Sequence, residues 1–400
     1  MKTPHFIPDS EFKSRIERTQ RLAREAGLDA LLVHSNEADY ANVRYLSDYW
    51  PLFESAGVWV PSQGEPRLLI GPESETFSRS RTKIPEVRKL IEYREPAEPD
   101  YPGIQVSTFE SLAKETLGHA PKRIGVVGWA VMSLPVYLGL KKAFPEAEVV
   151  KSDDVIFQQR AIKSDNEIQC LKDSFRITEL ATGEVIRRMK PGMTELELAG
   201  IAQGVIYANG AEYEGLPMYV LAGLASSHAI GRPGYRKIEE RDLVQLNLSA
   251  KVHGYSGSLG VPVVVGDPSP AVTRLLEFGL KAHRFTIGLL KAGMPAKDVA
   301  IRYADFVKKE GYAEYMLYGP CHGLGMIEVE RPWIEATSSY ELKPNMTFQI
   351  DTFFYTPAGS ELARQNGRPF GLRWENGCRI VEGGVELLGT ELREIARAGV

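Results

Sequence analysis

The chain has 400 residues, 43% hydrophobic and 25% charged, enough apolar mass for a sizeable core in two domains or one large one. A formal charge of −4 argues against a nucleic-acid partner, and no apolar run reaches the length of a membrane span. Cys170, Cys321 and Cys378 lie far apart with no CxxC pair, and the amino terminus lacks a signal-peptide core, so the expectation is a cytoplasmic protein with buried thiols.

In chain order, residues 9–30 (DSEFKSRIERTQRLAREAGLDA) open on an Asp cap with Glu11 close behind, keep apolar positions at helical spacing and stop at Gly27. ALLVHS (30–35) reads as a buried strand. GVWVPSQGEPRLLIG (57–71) reads as a hairpin turning at Ser62–Gly64. RIGVVG (123–128) is another buried strand, followed by a helix over Met132–Phe144 and the strand AEVVKS (147–152). This pattern is an α/β domain ending near residue 155, and its glycines lack the spacing of a phosphate loop.

One long helical region is expected from Asp153 to Met189. Beyond it, 189–213 (MKPGMTELELAGIAQGVIYANGAEY) and 290–315 (LKAGMPAKDVAIRYADFVKKEGYAEY) share Lys-x-Gly-Met, an apolar helix, a glycine stop and a closing Glu-Tyr. Two matching halves predict a pseudo-symmetric fold with a cleft between them. In VQLNLSAKVHGYSGS (244–258), Val244, Leu246 and Leu248 alternate with Gln245, Asn247 and Ser249 before the turn Lys251–Gly254. That is a hairpin with one polar face.

The order of landmarks resembles the creatinase, prolidase and methionine aminopeptidase superfamily. They are NVRYLSDY (42–49), RAIKSDNEIQCLKDS (160–174), SSHAIGRP (226–233), RDLVQLNLSAKVHGYSGS (241–258), YGPCHGLGMIEVERP (318–332), PNMTFQID (344–351) and GLRWENG (371–377). The resemblance covers essentially the whole chain. It implies an α+β, creatinase-like two-domain protein, with a small α/β N-terminal domain over 1–155 and a pseudo-two-fold pita-bread domain over 156–400.

Metallopeptidases of that superfamily hold two divalent ions on five ligands. Carried over residue by residue, these fall on Asn247, Ser258, His322, Asp351 and Glu375. Two dications about 3.5–4 Å apart need anionic ligands to bridge them, and an amide and a hydroxyl stand where two carboxylates would. The peptidases' further histidine, seven residues after the one matching His322, is Val329 here.

The resemblance to creatinase therefore implies a metal-independent hydrolase without cofactor, cleaving a C–N bond of a small amidino, ureido or amide compound. His228 is then the general acid–base, with His322 and Glu375 as its catalytic partners. Glu375 grips N–H-rich groups, and Asp351, Arg331, Asn247 and Ser258 bind substrate. Creatinase's second guanidinium-gripping glutamate falls near Gly260, where this chain has no carboxylate, and its N-terminal arginine falls in FESAG (53–57), which offers Glu54. His5, His34, His119, His253 and His283 carry no site signal.

Two alternatives remain open: an Xaa-Pro dipeptidase- or aminopeptidase P-like metallopeptidase with one ion at His322, Asp351 and Glu375, and a non-catalytic peptide- or metabolite-binding protein. The expected partners are a small-molecule substrate and a second copy of the chain. For the homodimer, the aromatic stretch NVRYLSDYWPLFESAG (42–57) is the candidate contact.

Overall fold

The computed structural model describes residues 3–392 and 394–398, and the chain divides into two units. The first, Ile7–Arg160, runs α1 (Asp9–Glu25), β1 (Ala30–Ser35), α2 (Ala41–Ser47), β2 (Ala56–Pro61), β3 (Arg67–Ile70), α3 (Glu75–Arg81), β4 (Val87–Lys89), α4 (Phe109–Thr116), β5 (Arg123–Val127), α5 (Leu134–Ala143) and β6 (Glu148–Lys151). Its sheet has the order β4-β3-β2-β1-β5-β6, with β1 parallel to β5 and antiparallel to β2. Every residue of β1 and β2 is buried, which is why ALLVHS reads as a continuous apolar run rather than an alternating one. The expected hairpin is β2–β3, with Val58 opposite Leu68. The expected helix over Met132–Phe144 starts later, at Leu134, because Ser133 is extended and Pro135 sits in the first turn.

The aromatic stretch lies largely inside this unit. Tyr45 is 1% and Tyr49 0% exposed, and only Leu52 (49%) and Phe53 (74%) present large apolar side chains to solvent. Glu54 is buried and turned inward: its carboxylate accepts hydrogen bonds from the main-chain N–H groups of Glu73 (3.0 Å) and Ser74 (3.1 Å), just ahead of α3. It therefore orders a local turn rather than offering an acid at the surface.

The helical region expected over 153–189 consists of two helices, α6 (Asp154–Ala161) and α7 (Asp165–Arg188). The break has a local cause. The Ser164 side chain accepts from the Glu167 N–H at 3.2 Å and the Glu167 carboxylate accepts from the Ser164 N–H at 2.7 Å, a capping box that starts a new helix. Lys163 donates its N–H to Asn345 O at 2.9 Å and pairs with Glu330 at 3.0 Å, so the connecting residues bond away from either helix.

The rest of the second unit comprises α8 (Glu195–Ala208), β7 (Tyr219–Ala222), β8 (Leu243–Val252), β9 (Tyr255–Val265), α9 (Pro270–Leu289), α10 (Ala296–Lys309), β10 (Cys321–Gly323), β11 (Glu330–Ile334), β12 (Thr347–Tyr355), α11 (Glu361–Asn366), β13 (Gly371–Val381), β14 (Gly384–Leu387) and β15 (Ala396–Ala398). Its sheet runs β11-β10-β12-β13-β9-β8-β7, with β14 on β13 and β15 on β9. Leu275, Leu276, Phe278 and Ala282 of α9 pack with Phe354, Leu372 and Trp374 of β12 and β13 to form a core beneath one half of it.

The internal echo is a repeated set of hydrogen bonds. Gly192 N–H donates to Ile238 O (2.9 Å) as Gly293 N–H does to Leu342 O (2.8 Å), and both glycines have positive φ, 91° and 79°. Ile238 N–H donates to Met193 O (2.8 Å) as Leu342 N–H does to Met294 O (2.9 Å). Glu195 N–H donates to Arg236 O as Ala296 N–H does to Tyr340 O, both at 3.0 Å. Continuing along the chain into β8 and β12, Asn247 stands as far past Ile238 as Asp351 stands past Leu342, so these two residues occupy equivalent places in the halves.

Two buried histidines tie stability to pH. His34 in β1 and His283 in α9 are both driven down to about 4 by loss of hydration. The folded state prefers each imidazole neutral, while the unfolded chain takes its proton near 6.5. Each contribution is therefore complete above 6.5 and drains away as pH falls toward 4, by on the order of 3 kcal/mol per histidine. The urea midpoint should fall over this window, and His283→Gln or His34→Gln should each flatten the fall. A variant that tracks the unaltered protein through the whole window would refute the assignment for that residue.

Candidate active site

Four adjacent strands bring one row of residues to one face. Asn247 on β8 is opposite Gly260 on β9, Gly260 is opposite Glu375 on β13, and Glu375 is opposite Asp351 on β12. Directly opposed residues share a face, so the row projects together. Gly260 is the one position without a side chain. A Cβ there would lie 2.7 Å from the Glu375 Cβ and 2.9 Å from the Arg373 Cγ. No carboxylate can stand at Gly260, because β13 already fills that space.

Glu375 is the centre of the cluster. Asn247 Nδ2 donates to its Oε2 at 2.6 Å, and His322 Nε2 lies 3.7 Å from its Oε1. The Ser258 hydroxyl donates to Asn247 Oδ1 at 2.6 Å, which fixes which end of the amide faces Glu375. His322 Nδ1 lies 3.0 Å from Gly323 O; a carbonyl only accepts, so Nδ1 carries the hydrogen and the neutral ring presents its Nε2 lone pair to the cluster. The donor atoms of His322, Glu328 and Glu375 all lie within 4.8 Å of one another, and all three residues are buried.

Asp351 belongs to a second group. Its carboxylate accepts from the Tyr318 hydroxyl at 2.7 Å and forms an ion pair with Arg373 Nε at 3.2 Å. Arg373 is buried, donates to Tyr318 Oη at 2.9 Å and to Ala229 O at 2.8 Å, and lies over the Phe353 ring at 5.3 Å.

Burial and mutual charge set the proton inventory. Burial pushes Glu328 up to about 8, assisted by the negative charge of Glu375. Burial alone would lower His322, but the carboxylates of Glu328, Glu375 and Asp351 outweigh it and raise the ring to about 9. Glu375 goes the other way: burial opposes its charge, yet the His322 contact and the Arg373 charge hold it below the usual carboxylate range. The three groups titrate together: carboxylate charge favours the imidazolium, and Glu328 holds its proton against the charge of Glu375.

The donor set accommodates one divalent ion and not two. Once His322 and Glu328 give up their protons, Nε2 and two carboxylates suit a borderline dication and supply two negative charges against it. A second ion has no comparable seat. Asn247 and Ser258 are neutral and bonded to each other, and Asp351 is already neutralised by Arg373. Of the residues the sequence singles out, Asn247, Ser258, His322, Asp351 and Glu375 converge.

His228 and Arg331 lie outside the buried cluster. His228 is exposed, directly after the 3-10 turn Gly223–Ser227; its carbonyl accepts from Gln245 Nε2 at 3.0 Å, and the neighbouring Ala229 carbonyl is the one Arg373 holds. Arg331 is exposed on β11. Glu328 is the member that sequence reasoning missed. Its signal was an acid set between Ile327 and Val329 in an apolar segment, where a buried carboxylate needs a partner.

Residues 169–382 match the model of metallopeptidase family M24, and residues 15–162 match the creatinase/prolidase N-terminal domain. The chain is 26% identical over 384 residues to the Xaa-Pro dipeptidase of Pyrococcus furiosus, spanning 96% of this chain and 99% of that one. A prolidase from Thermococcus sibiricus superposes with a TM-score of 0.81 at 25% identity, covering 96% of this chain and 99% of the other. The X-Pro aminopeptidase of Thermotoga maritima gives 0.80 at 24% identity over 96% and 99%, a likeness of fold. The two-domain creatinase-like architecture implied by the motif order is the one observed. These findings overturn the expected metal-independent, creatinase-like activity: residues 169–382 match a metallopeptidase family, and the relatives include Xaa-Pro dipeptidases. The chain belongs to metallopeptidase family M24 and carries that family's catalytic domain behind a creatinase/prolidase N-terminal domain.

Proposed function

We propose that the protein hydrolyses the C–N bond of short peptides in the manner of an Xaa-Pro dipeptidase, with a single divalent ion in the corner formed by His322 and Glu375. The observation that carries this reading is the buried convergence of an imidazole nitrogen and carboxylate oxygens within 4.8 Å on the sheet of an M24 domain. The chemistry such an ion supplies is Lewis-acid polarisation of a peptide carbonyl.

The chain's own residues do the remaining work. Asn247 holds Glu375 in one orientation, and Ser258 holds Asn247. Gly323 O fixes the His322 tautomer. The Arg373–Asp351 pair keeps the neighbouring face charged but internally balanced. His228, on a loop tied to β8 and β13 through its main chain, is the group assigned to carry a proton between water and the leaving nitrogen. Arg331 on β11 is assigned to the carboxylate end of a dipeptide. A homodimer accompanies this reading, with the exposed Leu52 and Phe53 as its apolar contact. The three buried cysteines, none in a disulfide among the described residues, suit a cytoplasmic setting.

Purified protein supplied with Mn2+ or Co2+ should release proline from Ala-Pro faster than it cleaves Ala-Ala, and chelator should abolish the activity. Full activity after chelation, or no cleavage of any dipeptide with any divalent ion, would overturn the proposal. His228→Asn should lower kcat by about 10²–10⁴-fold while leaving bound metal unchanged. Near-full turnover in that variant would remove His228 from the proton path.

A further inference from the structure

We propose that Glu328 is the third ligand of the single ion, and that it substitutes for carboxylates which the two halves of the fold no longer offer. The proposal rests on the one-ion peptidase reading and deepens it. Glu328 stands at none of the five positions that the superfamily resemblance picks out.

Glu328 is 5% exposed, and its Oε1 has no hydrogen-bond partner among the described residues. A buried carboxylate oxygen without a donor is costly, and the side-chain hydrogen bond that the Glu328 carboxyl makes is to another carboxylate, Glu375, a juxtaposition that a shared proton or a bound cation relieves. The oxygen belongs to a group whose ligand atom lies within 4.8 Å of those of His322 and Glu375. Bonds of about 2.1 Å to one ion span donor separations of up to about 4.2 Å, so closing on the ion requires only a small contraction. Three protein donors with an open position is the arrangement of catalytic rather than structural zinc-type sites.

The segment that carries Glu328 is fixed in advance. Ser256 on β9 donates its N–H to Gly325 O at 2.9 Å and its hydroxyl to Met326 O at 2.8 Å. Gly325 N–H donates to Ile327 O at 3.2 Å, and Glu330, one turn of chain beyond, is pinned by Lys163 at 3.0 Å. The carboxylate is thus presented by a braced loop, as ligand positioning requires.

The remaining acid of the row, Asp351, is withheld. Its equivalent in the other half is Asn247, a neutral amide, and its own charge is met by Arg373. The guanidinium stands as a fixed cation beside Asp351, which leaves charge for one mobile dication, on the side of Glu328.

The test is binding of Co2+ alone, read by the number of ions per chain after dialysis and by the visible absorption of the bound ion. The unaltered protein should hold one Co2+. Glu328→Gln, which keeps the shape and removes the charge, should bind on the order of 100-fold more weakly with an altered spectrum, and Glu328→Asp should recover part of both. Unfolding of the metal-free variants at or above the temperature of the unaltered protein confirms that the loss is one of ligation. Equal affinity and spectrum in Glu328→Gln, two ions per chain, or none in the unaltered protein would each overturn the proposal. Dipeptide cleavage measured on the same samples separates the two readings. Co2+-dependent cleavage that persists in Glu328→Gln with unchanged affinity removes only Glu328. Binding through Glu328 without cleavage of any dipeptide removes only the peptidase reading.

Discussion

A carboxylate that is 1% exposed and still anionic is the constraint around which the catalytic half is organised. Glu375 stays charged because an amide N–H, an imidazole and a guanidinium surround it, and each of these is supported in turn. Ser258 orients Asn247, Gly323 O orients His322, and Tyr318, Asp351 and Ala229 O hold Arg373. Removing any one partner leaves a charge buried without compensation, which is the expensive case among buried ionic groups. Gly260 serves the same centre by having no side chain, since β13 could not otherwise come close enough to place Glu375 opposite it.

The internal duplication explains how this arrangement is built and how its halves differ. The same loop-to-loop hydrogen bonds recur at Gly192 and Ile238 and at Gly293 and Leu342, so the two halves share one local scaffold. The chemistry is not repeated. At equivalent strand positions one half carries the neutral Asn247 and the other the charged Asp351, which brings its own cation, Arg373, from the neighbouring strand. Where the superfamily resemblance implies ligands for two dications, this chain has a one-sided cluster of His322, Glu328 and Glu375.

That asymmetry also shows why the creatinase-like expectation failed. Loss of two carboxylates from the superfamily's ligand set is a sound argument against a pair of ions, and the neutral Ser258–Asn247 contact bears on that argument alone. It is no argument against a single ion. The ligand set implied by the resemblance left one ion open at His322, Asp351 and Glu375, and the structure brings Glu328 rather than Asp351 beside the other two. The M24 match and the relatives named Xaa-Pro dipeptidase favour the metallopeptidase reading over the creatinase-like one.

The sequence by itself determined the order of elements, the repeat and most of the site. Alternation of Val244, Leu246 and Leu248 with Gln245, Asn247 and Ser249 sets which face of β8 is polar, and the Lys-x-Gly-Met echo marks positions where only a glycine takes the required positive φ. These are local rules of period and backbone conformation, and they are written in consecutive residues. The tertiary structure decided what depends on distance between remote segments. It divided the helical region of 153–189 ahead of Ser164, where Lys163 is drawn to Asn345 and Glu330. It sent the tyrosines of the 42–57 stretch into a core, and it turned Glu54 inward to cap a turn. It also paired Asp351 with Arg373 across two strands and set Glu328 against Glu375. Burial and the charges of neighbours fix a carboxylate's protonation and its readiness to bind a cation, and neither quantity exists until β9, β10, β12 and β13 lie side by side.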